Sequence, residues 1–385
     1  MQPFLNDLKL GIIAGGQLGK MIVQEASKWD IKTYILEEDV NSPASSIATY
    51  HVQGSRLDFE AVYNFGKQVD LLTFEIESIN VDALFKLKEE GLKISPDPSI
   101  LKLFQNKEKQ KEFYVTSGLP TSPFKSYNNK EDIIVAIGDE SLKYPFVQKL
   151  KTGGYDGRGV SVINSESDLK DLLEGESIVE QKIDIHKEIG VIVARNERGE
   201  IKSFPAAEMV FDTKANLVEQ LICPADISEA QHIQSREIAH KLIEQLDMCG
   251  LLAIEFFIDN EGDLLINESA PRTHNSGHHT IESIITSQFE QHLRAILNLP
   301  LGSTEIKLPA VMINLLGEPE YHGNAVYNGF DECLAIDGVK IHLYGKTITK
   351  PYRKMGHITV IDKDLNKALE KATIVKNTIK VIADK

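Results

Sequence analysis

Two glutamates, Glu255 and Glu268, flank a turn signal, Asn260-Glu261-Gly262, and carry the most chemistry in this chain of 385 residues. Before the turn, Ile254, Phe256 and Ile258 alternate with Ala253, Glu255 and Phe257, the period of a half-buried strand. After it, Leu264 to Asn267 starts a second apolar run, so the segment reads as a hairpin. Folding about the turn sets Glu255 opposite Glu268, and two carboxylates facing each other across a ladder repel. A divalent cation between them removes the conflict. Magnesium suits the pair, because it takes one or two carboxylates and leaves its other positions to water and phosphate oxygens. Asn267 adds a neutral oxygen. The hairpin runs into Ala270 to His278, where Arg272, His274, Asn275 and Ser276 form a donor-rich, anion-binding loop. The competing reading is a surface hairpin with two solvated glutamates.

A second phosphate-directed feature lies upstream. Gly153-Gly154-Tyr155-Asp156-Gly157-Arg158-Gly159 joins the β-type run Tyr144 to Lys149 to a strand over Val160 to Ile163. Glycine density leaves backbone N–H groups free to close over a polyphosphate. Arg158, Lys149 and Lys151 supply compensating charge. A strand–loop–strand context excludes the usual P-loop, which opens a helix. Glu180, near the end of the run Ser177 to Ile183, and Glu188, opening the next strand, are placed to accept from adenine or ribose groups, or are solvated strand residues.

The elements that must hold these groups follow from periodicity. Leu8 to Ala14 is a strand, Gly15-Gly16-Gln17-Leu18-Gly19 a turn, Lys20 to Trp29 a helix and Thr33 to Leu36 a second strand. This βαβ opening places backbone N–H groups where a phosphate can bind. It misses GxGxxG because Ala14 stands where glycine is needed, and it misses the P-loop pattern at Met21 as well. Asp58 to Gln68 reads as helix and Asp70 to Phe74 as strand. That strand ends in Glu75-Ile76-Glu77, at the carboxyl end where ligands of parallel sheets gather. Val81 to Glu90 and Pro98 to Gly118 read as helices, with the Lys/Gln/Glu-rich run Asn106 to Glu112 as an exposed helix face. Ser203 to Val210 reads as strand, and Ser228 to Met248 as a long amphipathic helix. Beyond Ala310 lie three strand runs and a helix from Leu365 to Ile382, with Lys346, Arg353 and Lys354 in turns.

Length predicts two or three domains. A net charge of −15 argues against a protein that coats nucleic acid or an anionic membrane. The three cysteines, Cys223, Cys249 and Cys333, form no CxxC pair and read as single buried thiols. No signal peptide and no apolar run long enough to span a membrane is seen.

Taken together, GGQLG, GGYDGRG, the glutamate pair and APRTHNSGH resemble the ATP-grasp superfamily and, within it, the 5-(carboxyamino)imidazole ribonucleotide synthases of purine biosynthesis. The resemblance implies an α/β and α+β architecture of three parts. These are a Rossmann-like domain over 1–105, an ATP-grasp domain over 106–300 with a lid at about 121–185, and a small α+β domain over 301–385. It implies that Lys149 contacts the ATP phosphates beneath the loop Gly154, Tyr155, Asp156, Gly157, Arg158, Gly159 and Val160. Glu180, Gln181, Lys182, Ile183 and Glu188 would receive adenine and ribose. Lys107, Asn267 and Glu268 would also face the nucleotide. Glu255 and Glu268 match the magnesium ligands, with manganese as the substitute. Gln17, Tyr155, Arg158, Lys346 and Arg353 match residues that hold the ribonucleotide. Glu75 or Glu77, with Glu75 preferred, would steer its amine. Arg272, His274, Asn275 and Ser276 would hold carboxyphosphate, formed when bicarbonate attacks the γ-phosphate. Three departures stand out: Lys107 where the family has arginine, Ala14 for the first glycine of GGGQLG, and no histidine between Glu208 and Ala215.

The implied partners are ATP, bicarbonate and 5-aminoimidazole ribonucleotide, with no nucleic acid, no membrane, a cytoplasmic location and a homodimer. The runner-up is a related ligase such as formate-dependent glycinamide ribonucleotide transformylase. A dinucleotide-dependent oxidoreductase and a non-catalytic nucleotide-binding regulator rank lower. A zinc site at His274, His278 and His279 is disfavoured for want of further ligands.

Overall fold

The computed structural model describes residues 7–154, 159–212 and 217–384. The chain opens with β1 (Lys9–Ile13), α1 (Gln17–Ser27), β2 (Lys32–Glu37), β3 (Tyr50–Gln53), α2 (Phe59–Gly66), β4 (Leu71–Phe74), α3 (Val81–Glu89) and β5 (Lys93–Ile94). The strands form one parallel sheet in the order β3-β2-β1-β4-β5. Apolar runs such as Leu10-Gly11-Ile12-Ile13 and Leu71-Leu72 are buried on both faces, as a helix-covered parallel sheet requires. The order reverses between β1 and β4, so their carboxyl ends open a crevice there.

Next come α4 (Pro98–Phe104) and α5 (Lys107–Thr116), which the sequence reading merged into one helix. Asn106 separates them: its extended backbone starts a new helix, and its side chain accepts from Lys109 N–H. The following elements are β6 (Phe124–Tyr127), α6 (Lys130–Gly138), β7 (Phe146–Leu150), β8 (Val160–Ile163) and β9 (Ser177–Gln181). They build a four-stranded antiparallel sheet, β6-β9-β7-β8, with its own core around Ile133, Phe146, Ile163 and Val179.

The central sheet begins with β10 (Ile185–Arg195), β11 (Ile201–Ser203), β12 (Ala207–Asp212) and β13 (Leu217–Cys223). The continuous strand expected from Ser203 to Val210 is therefore broken over Phe204 to Ala206. Helix α7 (Glu229–Gln245) starts from a capping box in which Ser228 and Gln231 bond reciprocally. The hairpin β14 (Gly250–Asp259) and β15 (Leu264–Ala270) follows, then α8 (Thr280–Ser283) and α9 (Gln288–Ile296).

The last segment holds β16 (Ala310–Leu316), β17 (Gly323–Asn328), α10 (Phe330–Leu334), β18 (Val339–Leu343), β19 (Ile348–Thr349), β20 (Lys354–Ile361), α11 (Leu365–Thr378) and β21 (Lys380–Ala383). The helix expected to reach Ile382 stops at Thr378, and the residues after it pair with β17 as β21. The central sheet does not end with the grasp elements. Its order is β15-β14-β10-β12-β13-β16-β20-β18, so β13 pairing with β16 carries it into the last third of the chain. Cys223 and Cys333 are buried, whereas Cys249 is half-buried, unlike the fully buried thiol expected. Among the described residues no helix is long and apolar enough to cross a membrane.

Candidate active site

In the β14–β15 ladder Glu255 lies directly opposite Glu268. The register then slips: Phe256 pairs with Ile266, leaving Asn267 as the extra residue of a β-bulge. In a regular strand residues 267 and 268 would point to opposite faces. The bulge lets both serve one site. Glu268 is hydrogen-bonded to Lys107 Nζ, and Asn267 Oδ1 accepts from Lys149 Nζ at 2.8 Å. The two carboxylates titrate apart. Glu255 is raised, first by burial and then by Glu268 and Glu188, whereas Glu268 is lowered, chiefly by Lys107. Glu255 is thus a carboxylate short of positive charge, in an oxygen-rich site shared with Glu268 and Asn267. That is the donor set magnesium prefers.

Lys149 also bridges to Glu180, 3.1 Å away. A third member escaped the sequence reading. Lys111, buried on α5, reaches Glu180 at 3.2 Å and bonds Thr121 Oγ1 at 2.7 Å and Ser122 Oγ at 2.8 Å. Composition makes the run Asn106 to Glu112 an exposed helix face, and buried Lys111 departs from that expectation. Its only sequence signal was lysine in a position that helical spacing shares with Tyr114. Burial pulls Lys111 down to about 8 against the pull of Glu180. Burial works to raise Glu180, but Lys149 and Lys111 hold it below the usual range. Its carboxylate is therefore committed to two lysines, and the backbone that follows is what remains for a base. Lys182 to Asp184, between β9 and β10, lies outside the ladders, and Lys182 Nζ donates to Asn164 Oδ1 at 2.8 Å. Glu188 behaves differently: burial, with Glu268 adding to it against Lys149, pushes it up to about 7.

Lys151, expected to balance phosphate charge, is instead paired with Glu108 at 2.9 Å. Lys149 ends the ladder β7–β8 beside Val160, so Gly154, Gly159 and Val160 flank its loop. Tyr155, Asp156, Gly157 and Arg158 lie outside the described residues. So do residues 213–216, into which the histidine-free stretch between Glu208 and Ala215 runs; Glu208 itself pairs with Lys187 at 3.0 Å.

The donor loop folds tightly. His274 Nδ1 meets Ser276 Oγ at 3.0 Å and accepts from Ser276 N–H at 3.3 Å, while Nε2 faces Glu255 Oε1 at 3.7 Å. Ser276 rests on Gly190 of β10, where a Cβ would come within 2.9 Å of Ser276 Cβ. Gly190 gave no motif signal, yet only glycine leaves this room. Arg272 Nε pairs with Glu77 at 2.9 Å and its Nη1 donates to Thr273 O. His278 stacks on His357 at 4.7 Å between ring centres, and His279 bonds Ser283 Oγ at 3.0 Å, so these two histidines serve separate contacts.

At the β1–β4 crevice the expectation for the glycine turn is overturned. Gly16 N–H and Gly19 N–H both donate to the Glu75 carboxylate, and Gly15 N–H donates to Glu37 Oε2 at 2.9 Å. Side-chain carboxylates hold the helix N-terminus, so it is not a phosphate seat. Burial raises Glu75 against these bonds. Glu77 is tied to Arg272 as Glu75 is to the glycine turn, so each carboxylate has a partner. Beside Gly16 a cavity of about 270 Å³ is lined by Glu37, Asp39, Asn41, Ser42, Lys346 and Arg353 among others. Lys346 Nζ donates to Gln17 Oε1 at 3.2 Å, so the loop after β18 meets the start of α1 beside it. Arg353 Nη1 donates to Ile348 O at 2.6 Å. Lys354, expected in a turn, begins β20.

Three family models match in chain order: a ribonucleotide synthetase preATP-grasp domain over 8–105, an ATP-grasp domain over 112–289, and a phosphoribosylaminoimidazole carboxylase C-terminal domain over 310–371. N5-carboxyaminoimidazole ribonucleotide synthase of Bacillus subtilis (strain 168) is 35% identical over 368 residues, which cover 94% of each chain. This chain belongs to the N5-carboxyaminoimidazole ribonucleotide synthase family. The solved synthetase of Thermotoga maritima is similar at 44% identity with a TM-score of 0.90, covering 98% of this chain and all of that one. The Aspergillus clavatus synthase, solved with ADP and 5-aminoimidazole ribonucleotide, gives 33% identity and a TM-score of 0.88, covering 97% of this chain and 98% of that one. Members of the family are ATP-grasp ligases that carboxylate aminoimidazole ribonucleotide at its amine to give the N5-carboxy product, the compound also written 5-(carboxyamino)imidazole ribonucleotide. The fold, the use of ATP and the ligase activity expected from the motifs are those of this family.

Proposed function

We propose that the family reaction runs in this chain along the line Glu188–Lys149–Glu268–Arg272–Glu75. Glu188 and the backbone of Gln181, Lys182 and Ile183 receive ribose and adenine. Lys149, placed by β7 and held on Asn267 and Glu180, faces the phosphates. Phosphoryl transfer needs positioning and charge neutralisation rather than a covalent nucleophile, and this site offers no candidate nucleophile among these groups. Glu255, Glu268 and Asn267 would hold magnesium, or manganese in its place, which supplies Lewis-acid neutralisation of the phosphate oxygens when bound. A bicarbonate oxygen attacks the γ-phosphorus, the bond to the ADP oxygen breaks, and carboxyphosphate forms. Arg272, His274, Asn275 and Ser276 hold its oxygens. Carboxyphosphate then releases phosphate and carbon dioxide, and the substrate amine adds to that carbon with loss of a proton.

The ribonucleotide occupies the cavity beside Gly16, its phosphate on Lys346 and Arg353, its amine toward Glu75. Tyr155 and Arg158 are proposed contacts from the glycine loop. The single observation that carries this reading is the Glu255–Glu268 pairing with Lys107 and Lys149 around it. We further propose a cytoplasmic homodimer with Rossmann-like, grasp and C-terminal domains bounded near 105 and 300. The test is phosphate release from ATP with bicarbonate, measured with and without 5-aminoimidazole ribonucleotide. Stimulation by that nucleotide is expected; stimulation by glycinamide ribonucleotide with formate instead would replace this reading with the transformylase one.

A further inference from the structure

Gln288, the first residue of α9, has no solvent exposure and no place in the reaction above. Its carboxamide is spent chiefly on His274, with Nε2 also 3.5 Å from His278 Nδ1. Oε1 accepts from His274 N–H at 2.9 Å, and Nε2 donates to His274 C=O at 2.7 Å. Its own N–H donates to Thr280 Oγ1 at 2.9 Å, and that hydroxyl donates to Gly277 O at 2.6 Å. Both ends of the His274–Gly277 turn are thus tied to the start of one helix. The turn has no slack on that side: a Cβ on Gly277 would lie 2.6 Å from the Gln288 carboxamide carbon and 2.2 Å from Ile192 Cδ1.

This clamp has a chemical consequence at the ring. A backbone N–H can only donate, so Ser276 N–H meeting His274 Nδ1 makes Nδ1 an acceptor. The proton of the neutral ring must then sit on Nε2, the atom facing Glu255. We propose that Gln288 is a positioning residue that fixes the His274 backbone, so that the ring is presented to the transferring group as a neutral Nε2–H donor. The Nδ1 bond holds only while residues 274 and 276 keep their spacing, and that spacing is what the carboxamide sets. The inference rests on the functional reading above, in which His274 faces the carboxyphosphate oxygens.

Gln288→Glu tests it, because the new side chain keeps the acceptor for His274 N–H and loses the donor to His274 C=O. Gln288→Met loses both and guards against an effect of the added charge. Each variant should lower kcat by about 10- to 100-fold, in line with a misplaced donor, while KM for ATP and affinity for ADP stay within about threefold. Combined with His274→Asn, neither should cost more than His274→Asn alone, since a residue acting through another is not additive with it. Multiplying losses, or kcat within twofold of the parent, would overturn the proposal. Two-bond nitrogen–proton NMR of the imidazoles reads the clamp without turnover. The resonance lost in His274→Asn should carry the Nε2–H pattern in the parent and a mixed pattern in Gln288→Glu. An Nδ1–H pattern in the parent overturns the clamp, whereas absent bicarbonate-dependent phosphate release in the parent would instead overturn the functional reading.

Discussion

Gly190→Ala is the smallest change that should disable this site without touching a functional group. Gly190 lies on β10 directly opposite Glu255, under the donor loop. An added Cβ would sit 2.9 Å from Ser276 Cβ and 3.1 Å from Ser276 Oγ. Carbon atoms rest at about 3.5–4.0 Å, so the two must part by about 0.6–1.1 Å. The loop cannot yield by sliding deeper, because Gly277 already packs on Ile192 and Gln288. The strand cannot yield easily either, since β10 is laddered to β14 along its whole length. Overpacking of this kind costs about 1–3 kcal/mol. The larger effect is on rate: a displacement near 1 Å at a positioning group costs about a hundredfold, equivalent to about 2.7 kcal/mol of barrier. The purified variant should therefore show kcat reduced by about 30- to 100-fold. ADP affinity should be nearly that of the parent, because in the proposed reading the nucleotide is held by Lys149 and the backbone of Gln181, Lys182 and Ile183 rather than by the donor loop. Steady-state phosphate release with saturating bicarbonate and ribonucleotide, beside ADP titration by calorimetry, gives both numbers. If kcat stays within threefold, Ser276 and its neighbours do not sit at the reacting group, and the assignment of residues 272–276 fails.

Four further outcomes are expected. Glu268→Gln should cut ATP turnover by about a hundredfold or more with the melting temperature nearly kept; near-normal turnover would remove the metal assignment. Glu188 ordinarily titrates near 4.5 and is pushed up to about 7, so between these values the folded chain holds a proton that the unfolded chain has lost. Its contribution to stability therefore falls as pH rises through that window and stays low above it. Glu188→Gln should melt higher than the parent at pH 8 and alike at pH 4.5, and it should raise KM for ATP; an advantage confined to low pH would refute the assigned shift. Ala14 holds φ at +74°, a region that costs a residue with a Cβ about 1–2 kcal/mol. Allowing for the freer unfolded chain, Ala14→Gly should stabilise by about 0.5–1 kcal/mol, read as a higher urea midpoint, and a lower midpoint would count against the strain. Arg353→Ala should raise the requirement for ribonucleotide more than for ATP, and an effect on ATP alone would contradict its place at the cavity.

The glutamate pair was legible because strand period and turn position together fix a cross-strand partner. Burial of Ile254, Phe256 and Ile258 then forces Glu255 onto the other face. Asn267 was named for its oxygen, but alternation alone would have turned it away from Glu268; the bulge that corrects this has no local signature. Lys111 was misread because its helix is polar in composition, and only the docking of Glu180 and Ser122 from other elements makes that lysine a buried one. The glycine turn was misread for a related reason. Backbone donors at a helix start attract any anion, and a carboxylate delivered from β4 competes with a ligand's phosphate. The extension of the central sheet through β13 and β16 rests on a pairing between distant segments, which periodicity within either one does not encode.

Under the proposed reading, Glu75 on the glycine turn also orders the substrate half of the site. In a doubly wound sheet a free helix N-terminus at the switch point would draw the phosphate of a ribonucleotide. Here that position already carries a carboxylate, with Glu37 beside it, so an approaching phosphate meets like charge. The cations of the cavity, Lys346 and Arg353, come from the loops after β18 and β19. On that reading, a molecule with phosphate at one end and an amine at the other is thereby given one favourable orientation, phosphate to the C-terminal loop and amine to the β4 end. That end is also where Arg272 reaches across from the donor loop to Glu77, two residues beyond Glu75. That ion pair joins the two halves together with Thr73 on His292 and Ser95 on Cys249 O, and under the proposed reading it would help set the distance between amine and carboxyl donor. Under the same reading neither half would complete the reaction alone, because the carboxylate that orients the amine follows β4 and the arginine that holds the carboxyphosphate follows β15.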